Sequence, residues 1–412
     1  MQNDELRNKF TIAVIGQGYV GLPLAIAFSK VFDKVVGIEV DESRAKSLLN
    51  GHSFTEDVSV NELNKALRSG RFRIESRFEC LAQANVVIIC VPTPLTSEGQ
   101  PDLEAVESCI DQMAEFVPDG TLIVNESTSY PGTLREFIAK KLYQLRSKEG
   151  LLFASAPERI DPGNRFWELK NTPRIVAGID KDSTDLVVQL YRAICDEVIV
   201  VDTPEIAEMA KLLENTFRQV NIALVNQISE FCSASSIDVF KVVEAASTKP
   251  YGFMPFYPGA GVGGHCIPVD PMYLYWRSAQ LGINLDLISK AQFVNQNRPS
   301  VITQKLRGII PEASNSILLV GMGYKSGVGD LRHSPAQEIY SQLAKVFEKV
   351  NWFDPRINHS LVIGKTEGLY DFEVYIVFDY VLFKSIESKI NSNSLILDCS
   401  GRGRTLGSIK VI

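Results

Sequence analysis

Apolar strands alternating with helices, a glycine cluster between the first strand and the first helix, and a return of that alternation after residue 316 predict an α/β protein. The expected architecture is two Rossmann-like doubly wound parallel-sheet domains joined by a long central helix. Residues 11–16 (TIAVIG) read as a buried strand, 20–32 as a helix, 34–40 (KVVGIEV) as a second strand and 41–50 as a second helix. Residues 85–91 (NVVIICV) and 121–125 (TLIVN) are further strands, with a helix over 103–116 between them. Strands that are apolar throughout, rather than alternating, belong to parallel sheets covered on both faces. Runs at 151–155, 174–178 and 197–202 extend the same sheet.

The pattern changes after Thr203. Ile206, Met209, Leu212, Leu213, Phe217, Val220, Ala223, Leu224 and Ile228 recur at helical spacing, and no strand-like run interrupts residues 204–247. One long helix followed by a shorter one over 238–247 is expected. A helix of this length joins domains or forms a subunit interface. A stretch rich in proline and glycine (250–271) follows, long enough to be functional. Strands at 316–321, 350–354, 374–379 and 395–399 then build a second, smaller α/β domain. The expected divisions are 1–203 for nucleotide binding, 204–300 for the helical centre and 301–412 for the second α/β domain. The two α/β parts are alike in style, without a residue-level repeat.

The chain has 412 residues, 45% hydrophobic and 22% charged, with net charge −7. That acidity argues against a nucleic-acid or membrane-surface binder. The apolar runs are too short for a bilayer span. MQNDELRNKF has no apolar core of a signal peptide, and seven scattered cysteines fit a reducing compartment, so a cytoplasmic location is expected. With no CxxC and four isolated histidines, no structural metal is expected.

Gly16-Gln17-Gly18-Tyr19-Val20-Gly21 follows a strand and opens a helix. The first glycine permits the turn, the second lets a pyrophosphate approach the backbone, and the third lets helix and strand pack. Unpaired N–H groups at the helix start favour the anion. Glu39, 18 residues past Gly21, is placed to bind ribose hydroxyls and to repel a 2′-phosphate, which favours NAD over NADP. Arg44 is the competing feature, since it could receive that phosphate. Thr93 and Thr128 lie in loops directly after apolar strands, where open parallel sheets bind ligands.

Cys266 sits in PGAGVGGHCIPVDP, residues 258–271. Flanking Gly263 and Gly264 leave little side-chain bulk beside the thiol. A thiol and a dinucleotide site on one chain suggest that hydride leaves to a cofactor and the oxidised carbon is caught on sulfur. Lys211 and Asn215 share one face of the long helix, and Glu214 and Arg218 an adjacent one. An ammonium beside an amide can hold an oxyanion and a water. A solvated ion-pair face is the competing reading.

At these residues the chain resembles the UDP-glucose/GDP-mannose dehydrogenase family. The likeness runs through residues 16–24, 91–94, 126–133 (ESTSYPGT), 156–163 (APERIDPG), 211–226, 257–274 and 321–335 (GMGYKSGVGDLRHSP). FYPGAGVGGHCIPVDPMYL and NTFRQVNIALVN look like the branch acting on UDP-N-acetylhexosamines, with UDP-N-acetylglucosamine favoured as substrate. The resemblance implies a four-electron oxidation of a sugar C6 alcohol to a carboxylate with two NAD. Cys266 would carry a thiohemiacetal and then a thioester. Lys211, Asn215 and Asp270 would handle protons, the oxyanion and water, and Glu158 would position the hydrolytic water. Nucleotide-sugar contacts would fall on Glu158, Arg159, Tyr257, Gly259, Gly263 and Lys325, and Arg332 would touch the cofactor. The long helix would make a homodimer. Gln227, Ala260 and the glycine-rich segment 325–330 depart from the family pattern. UDP-N-acetylmannosamine or UDP-glucose as substrate, and a two-electron dehydrogenase that does not use Cys266, are the competing functions.

Overall fold

A computed structural model gives the fold and describes residues 7–53, 55, 57–147, 150–161, 164, 166–314, 316–357, 369, 371–401 and 409–411. Residues 162 and 163, which close the APERIDPG segment, and the first six residues lie outside the described ones.

The elements run β1 (Thr11–Ile15), α1 (Gly21–Ser29), β2 (Lys34–Ile38), α2 (Glu42–Leu49), α3 (Val60–Arg68), β3 (Phe72–Glu75), β4 (Val86–Ile89), α4 (Glu104–Met113), β5 (Leu122–Asn125), α5 (Lys140–Arg146), β6 (Leu152–Ser155), β7 (Arg174–Gly178), α6 (Lys181–Arg192) and β8 (Val198–Val200). They continue with α7 (Pro204–Ala234), α8 (Val239–Ser247), α9 (Asp270–Gln280), α10 (Asp286–Ile309), β9 (Ile317–Val320), α11 (Pro335–Leu343), β10 (Val350–Phe353), β11 (Val374–Val377), α12 (Tyr380–Ile386), β12 (Leu395–Asp398) and β13 (Ile409–Val411).

β1 to β8 form one sheet in the order β3-β2-β1-β4-β5-β6-β7-β8, and β9 to β13 form another in the order β10-β9-β11-β12-β13. In each, the direction of winding reverses beside the first strand, which opens a crevice at the carboxyl ends of β1 and β4, and again of β9 and β11. The central strands of both sheets are buried on both faces. Ile12 and Val14 enter one core while Ala13 and Ile15 enter the other, and Ile317 and Leu319 face away from Leu318 and Val320 in the same manner. That two-sided burial is why these strands are apolar at every position.

One pair departs from the all-parallel expectation: β6 and β7 are antiparallel, with Ala154 opposite Gly178. Among the described residues no helix lies between them to carry the chain back across the sheet, as a parallel connection requires. Helix α3 escaped the periodicity reading, although Ser59 and Glu62 form a capping box at its start.

The chain divides into two compact units, Met1–Glu214 with Trp276–Leu281, and Asn215–Tyr275 with Gly282–Ile412. Among the described residues no helix is long and apolar enough to cross a membrane.

Ile88 is fully buried in the central strand β4. Ile88→Ala should lower the unfolding free energy by about 2–5 kcal/mol through lost burial and a residual cavity; urea denaturation reads this as a lower midpoint at unchanged slope.

Candidate active site

The glycine cluster in the first unit does three separate jobs. Gly16 has φ +89°, and a Cβ there would lie 2.5 Å from the Cys90 carbonyl oxygen. A Cβ on Gly21 would lie 1.9 Å from the Gly16 oxygen, so the third glycine is a packing requirement. Gly18 meets nothing within 4 Å, which leaves its backbone open to a ligand. Tyr19 and Val20 bring the chain into α1, and α1 has no side-chain cap and no acid in its first turn. Its N–H groups and dipole therefore face that opening.

Glu39 follows β2 and is buried. Its carboxylate accepts from Gln17 N at 3.2 Å, Asp41 N at 3.0 Å and Arg44 Nη1 at 3.3 Å. These described donors fill three of roughly four acceptor positions of a carboxylate, so capacity remains for a ribose hydroxyl. Arg44 is drawn into an ion pair with this acid. Buried Gln17 lies against Gly37, where a Cβ would come within 2.5 Å of its side chain. Open backbone at Gly18, an uncapped helix start and a ribose-ready acid together fit a dinucleotide.

Thr93 and Thr128, both half-buried, stand in the loops after β4 and β5. Ser127 joins these loops, its hydroxyl donating to Val91 O at 2.8 Å. Glu208 on α7 fixes the second loop further along: its buried carboxylate accepts from Gly132 N at 2.7 Å and Leu134 N at 3.0 Å. Burial pushes this carboxyl up to about 8, against the pull of those two N–H groups.

Beneath the loop after β6 lies a buried charge cluster. Arg174 Nη2 is 2.5 Å from Glu158 Oε2, and its Nη1 is 3.4 Å from Glu126 Oε2. Tyr191 donates its hydroxyl to Glu126 and lies under the Arg174 guanidinium. Burial raises the Glu126 carboxyl to about 7, with Arg174 opposing. Burial acts on Glu158 in the same direction, but the Arg174 charge, the Ile160 N–H and the Lys211 ammonium together hold it below the usual range. Glu158 also accepts from Arg159 N at 2.6 Å and Ile160 N at 2.8 Å, so it is a fixed anion. The Arg159 guanidinium turns to Glu214 at 2.6 Å and to Pro173 O at 2.8 Å.

The second unit gathers Asn215, Cys266 and Asp270. Asn215 Nδ2 donates to Asp270 Oδ2 at 2.5 Å, and Asp270 N donates to Cys266 O at 2.8 Å. Asp270 is buried at the first position of α9, and partly exposed Cys266 carries no disulfide. Lys211 lies one turn before Asn215 on α7. The chain ahead of Cys266 is pinned at Gly259: its N–H donates to Asn226 Oδ1 at 3.0 Å, and its carbonyl accepts from buried Arg298 at 3.0 Å. Gly259 is otherwise open, and Tyr257 stacks on Phe240.

Gly263 and Gly264 differ from the expectation that they clear a path to the thiol. A Cβ on Gly263 would lie 2.7 Å from both His333 O and Tyr324 Cβ, and one on Gly264 2.9 Å from the Tyr324 ring. They are small because Tyr324 and the chain at His333 press on them. Arg332, whose backbone carbonyl accepts from Gly264 N, holds Asp330 with its guanidinium at 2.6 Å. Lys325 is half-buried in the loop after β9.

Profiles of the UDP-glucose/GDP-mannose dehydrogenase family match this chain: the NAD-binding domain over residues 10–195 and the central domain over 205–297. A UDP-N-acetyl-D-mannosamine dehydrogenase of Pyrococcus horikoshii is 34% identical over 91% of this chain and 90% of its own. The chain belongs to the UDP-glucose/GDP-mannose dehydrogenase family. A UDP-N-acetyl-D-glucosamine 6-dehydrogenase of Salmonella typhi is also 34% identical, over 84% of this chain and 83% of that one. The solved structure of a UDP-D-ManNAc dehydrogenase from Pyrococcus horikoshii superposes with TM-score 0.86 at 31% identity, covering 97% of this chain and 98% of that one. This member of the family is therefore an NAD-dependent nucleotide-sugar dehydrogenase.

For this dehydrogenase, Gly16, Gly18, Tyr19, Val20, Gly21, Glu39 and Arg44 form one local cluster, as Asn215, Cys266 and Asp270 form another. Glu126, Arg174, Glu208, Asn226 and Arg298 support these clusters and went unnoticed in the sequence. Their partners lie well away in sequence; Glu126, inside the ESTSYPGT segment, and Asn226, which ends NTFRQVNIALVN, carried a local signal.

Two outcomes follow. Glu39→Ala frees Gln17 N and removes the acid expected to accept from the ribose; NAD titration should show dissociation constants about tenfold or more above wild type. For Glu208 the folded-state value lies above the ordinary 4.5, at about 8. The native state thus keeps a proton that the unfolded chain releases. The stability tied to it is complete below the unfolded value and is lost as pH rises through the folded one. Glu208→Gln should flatten the fall of stability across that window by up to about 1.4 kcal/mol per pH unit, measured by urea denaturation.

Proposed function

We propose that this chain oxidises the C6 alcohol of a UDP-N-acetylhexosamine to the uronic acid in two steps, with the carbon held on Cys266 between them. The observation that carries the reading is the Asn215–Asp270–Cys266 grouping at the start of α9, in a chain whose other unit holds the dinucleotide loop. NAD supplies the hydride acceptor for each oxidation, held at Gly16–Gly21 and Glu39, with Thr93, Thr128 and Arg332 as further contacts.

The first oxidation turns the C6 alcohol into an aldehyde, with the hydroxyl proton passing to a base or water among Lys211, Asn215 and Asp270. The Cys266 sulfur then adds to the aldehyde carbon. A C–S bond forms, the C=O π bond becomes an alkoxide that takes a proton, and the product is a thiohemiacetal. Loss of a second hydride and the hydroxyl proton gives the thioester. Water adds to that carbonyl, and C–S cleavage returns the thiolate and releases the carboxylate. The Lys211 ammonium and the Asn215 amide are suited to the oxyanions of both addition steps. Glu158, fixed as an anion, is suited to orient the attacking water. Tyr257, Gly259, Gly263, Lys325 and Arg159 are proposed as nucleotide-sugar contacts. The sum is one alcohol, two NAD⁺ and one water giving one carboxylate, two NADH and three protons.

UDP-N-acetylglucosamine is the favoured substrate. UDP-N-acetylmannosamine is the second reading, supported by the name of the archaeal relative. An NADH assay over these two sugars and UDP-glucose separates them; turnover of UDP-glucose alone would contradict the N-acetyl assignment. Two NADH per acid are expected, whereas one NADH with a carbonyl product would contradict the thiol route. Cys266→Ser should stop acid formation while the fold and NAD affinity persist.

We further propose a homodimer through α7. Its buried face mixes polar residues (Glu208, Lys211, Gln219, Asn226, Ser229) with apolar ones (Ala207, Leu212, Ala223, Val225), while Leu213, Phe217, Leu224, Ile228 and Phe231 are exposed along another side. An apolar stripe of heptad-like spacing turned to solvent suits a second copy of the same helix. Leu224→Glu with Phe231→Glu should shift the mass read by light scattering from dimer to monomer; an unchanged mass would contradict this interface.

A further inference from the structure

The carboxyl edge of the second sheet repeats that of the first residue by residue, a correspondence invisible in the sequence. Gly321 follows β9 as Gly16 follows β1, and both have φ +89°. Gly321 N donates to Phe353 O at 2.9 Å, as Gly16 N donates to Ile38 O at 2.8 Å. Met322 N donates to Asp354 Oδ2 at 3.1 Å, as Gln17 N donates to Glu39 Oε2 at 3.2 Å. Arg356 pairs with Asp354 at 2.7 Å, as Arg44 pairs with Glu39 at 3.3 Å.

The copies then diverge. Gly18 is open, but a Cβ on Gly323 would lie 1.9 Å from Val328 O. The second loop closes on itself where the first leaves room for a diphosphate. Arg356 also reaches further than Arg44. Its Nη2 lies 2.8 Å from Asp379 Oδ2 as well as 2.8 Å from Asp354 Oδ2. Asp379 in turn accepts from Ser326 Oγ at 2.8 Å and Gly327 N at 3.1 Å, the two residues that follow Lys325. Asp354 and Asp379 are both buried at strand ends. Two buried carboxylates this close need a cation between them, and a planar guanidinium meets both in fixed geometry, with two donors to Asp354 and one to Asp379.

We propose that Arg356, clamped between Asp354 and Asp379, is a positioning residue for nucleotide-sugar binding: it fixes the loop that presents Lys325. The second unit thereby uses the strand–glycine–acid arrangement of a dinucleotide site to hold a lysine. This inference rests on the assignment of Lys325 as a substrate contact.

The test compares Arg356→Lys, Arg356→Ala and Lys325→Ala in the full chain, with UDP and NAD affinities from titration calorimetry and steady-state constants for the UDP-sugar. Arg356→Lys keeps a charge at the site and so guards against simple loss of folding. Both Arg356 variants should weaken UDP about tenfold, leave NAD affinity unchanged and raise KM more than they lower kcat. Lys325→Ala should weaken UDP too, and combining it with Arg356→Ala should add little further loss. Added guanidinium should restore part of the UDP affinity of Arg356→Ala. If Lys325→Ala weakens UDP but Arg356→Lys binds it as wild type does, the positioning role is overturned while the substrate assignment stands. If Lys325→Ala leaves UDP affinity untouched, the substrate assignment fails and this proposal with it. Equal weakening of UDP and NAD would mark Arg356 as merely structural and also overturn it.

Discussion

Buried carboxylates that accept backbone N–H groups hold the loops at the carboxyl ends of both sheets. Glu39 holds Gln17 and Asp41, Glu158 holds Arg159 and Ile160, and Glu208 holds Gly132 and Leu134. Asp354 holds Met322, and Asp379 holds Gly327, Val381 and Leu382. A buried charge is costly unless it is paired or hydrogen-bonded. Each of these acids meets that cost with main-chain donors, and four of the five also engage an arginine. Such loops are stiff before any ligand arrives, which lowers the entropic penalty of binding. Glu208 is the exception: its partners among the described residues are N–H groups alone, and burial raises its carboxyl to about 8, so it keeps its proton near neutrality.

Helix α7 joins these constraints to the chemistry. Glu208, Lys211 and Asn215 occupy successive turns of one helix, so the residue that fixes the loop after β5 shares an element with the two proposed to serve the reacting carbon. The buried polar face also supplies Asn226, which pins the chain ahead of Cys266. Apolar Leu212, Ala223 and Val225 are buried on the same helix, and a second apolar stripe, Leu213, Phe217, Leu224, Ile228 and Phe231, is exposed.

Much of the fold was legible because parallel strands buried on both faces leave continuous apolar runs, and because Gly16–Gly21 and Glu39 stand at fixed offsets from β1 and β2. Boundaries of α7 and α8 followed from a single helical period. The antiparallel β6–β7 pair was not legible: strand direction depends on the route of residues 156–173, which carry no periodicity. Cys266, Asn215 and Asp270 were legible as types, and their hydrogen bonds to one another are seen in the structure. The glycines beside Cys266 were misread, since bulk next to a residue in sequence says nothing of Tyr324 packing from 60 residues away. Arg174, Arg298 and Arg356 were invisible for the same reason, each being defined by acids or carbonyls on other elements.

The family likeness carries NAD and a nucleotide sugar, while the covalent step is proposed for Cys266. An acceptor thiol keeps the aldehyde from leaving between oxidations, and it converts a hydrated carbonyl problem into an acyl transfer. Asp270, which bonds Asn215 through its side chain and Cys266 through its amide, ties the thiol's segment to α7. Acid-quenched turnover, digestion and mass spectrometry of the Cys266 peptide test this most directly. The account predicts a peptide heavier by the UDP-uronyl acyl group, in thioester linkage and discharged by hydroxylamine. An unmodified Cys266 peptide throughout productive turnover, under a quench that preserves thioesters, would contradict it.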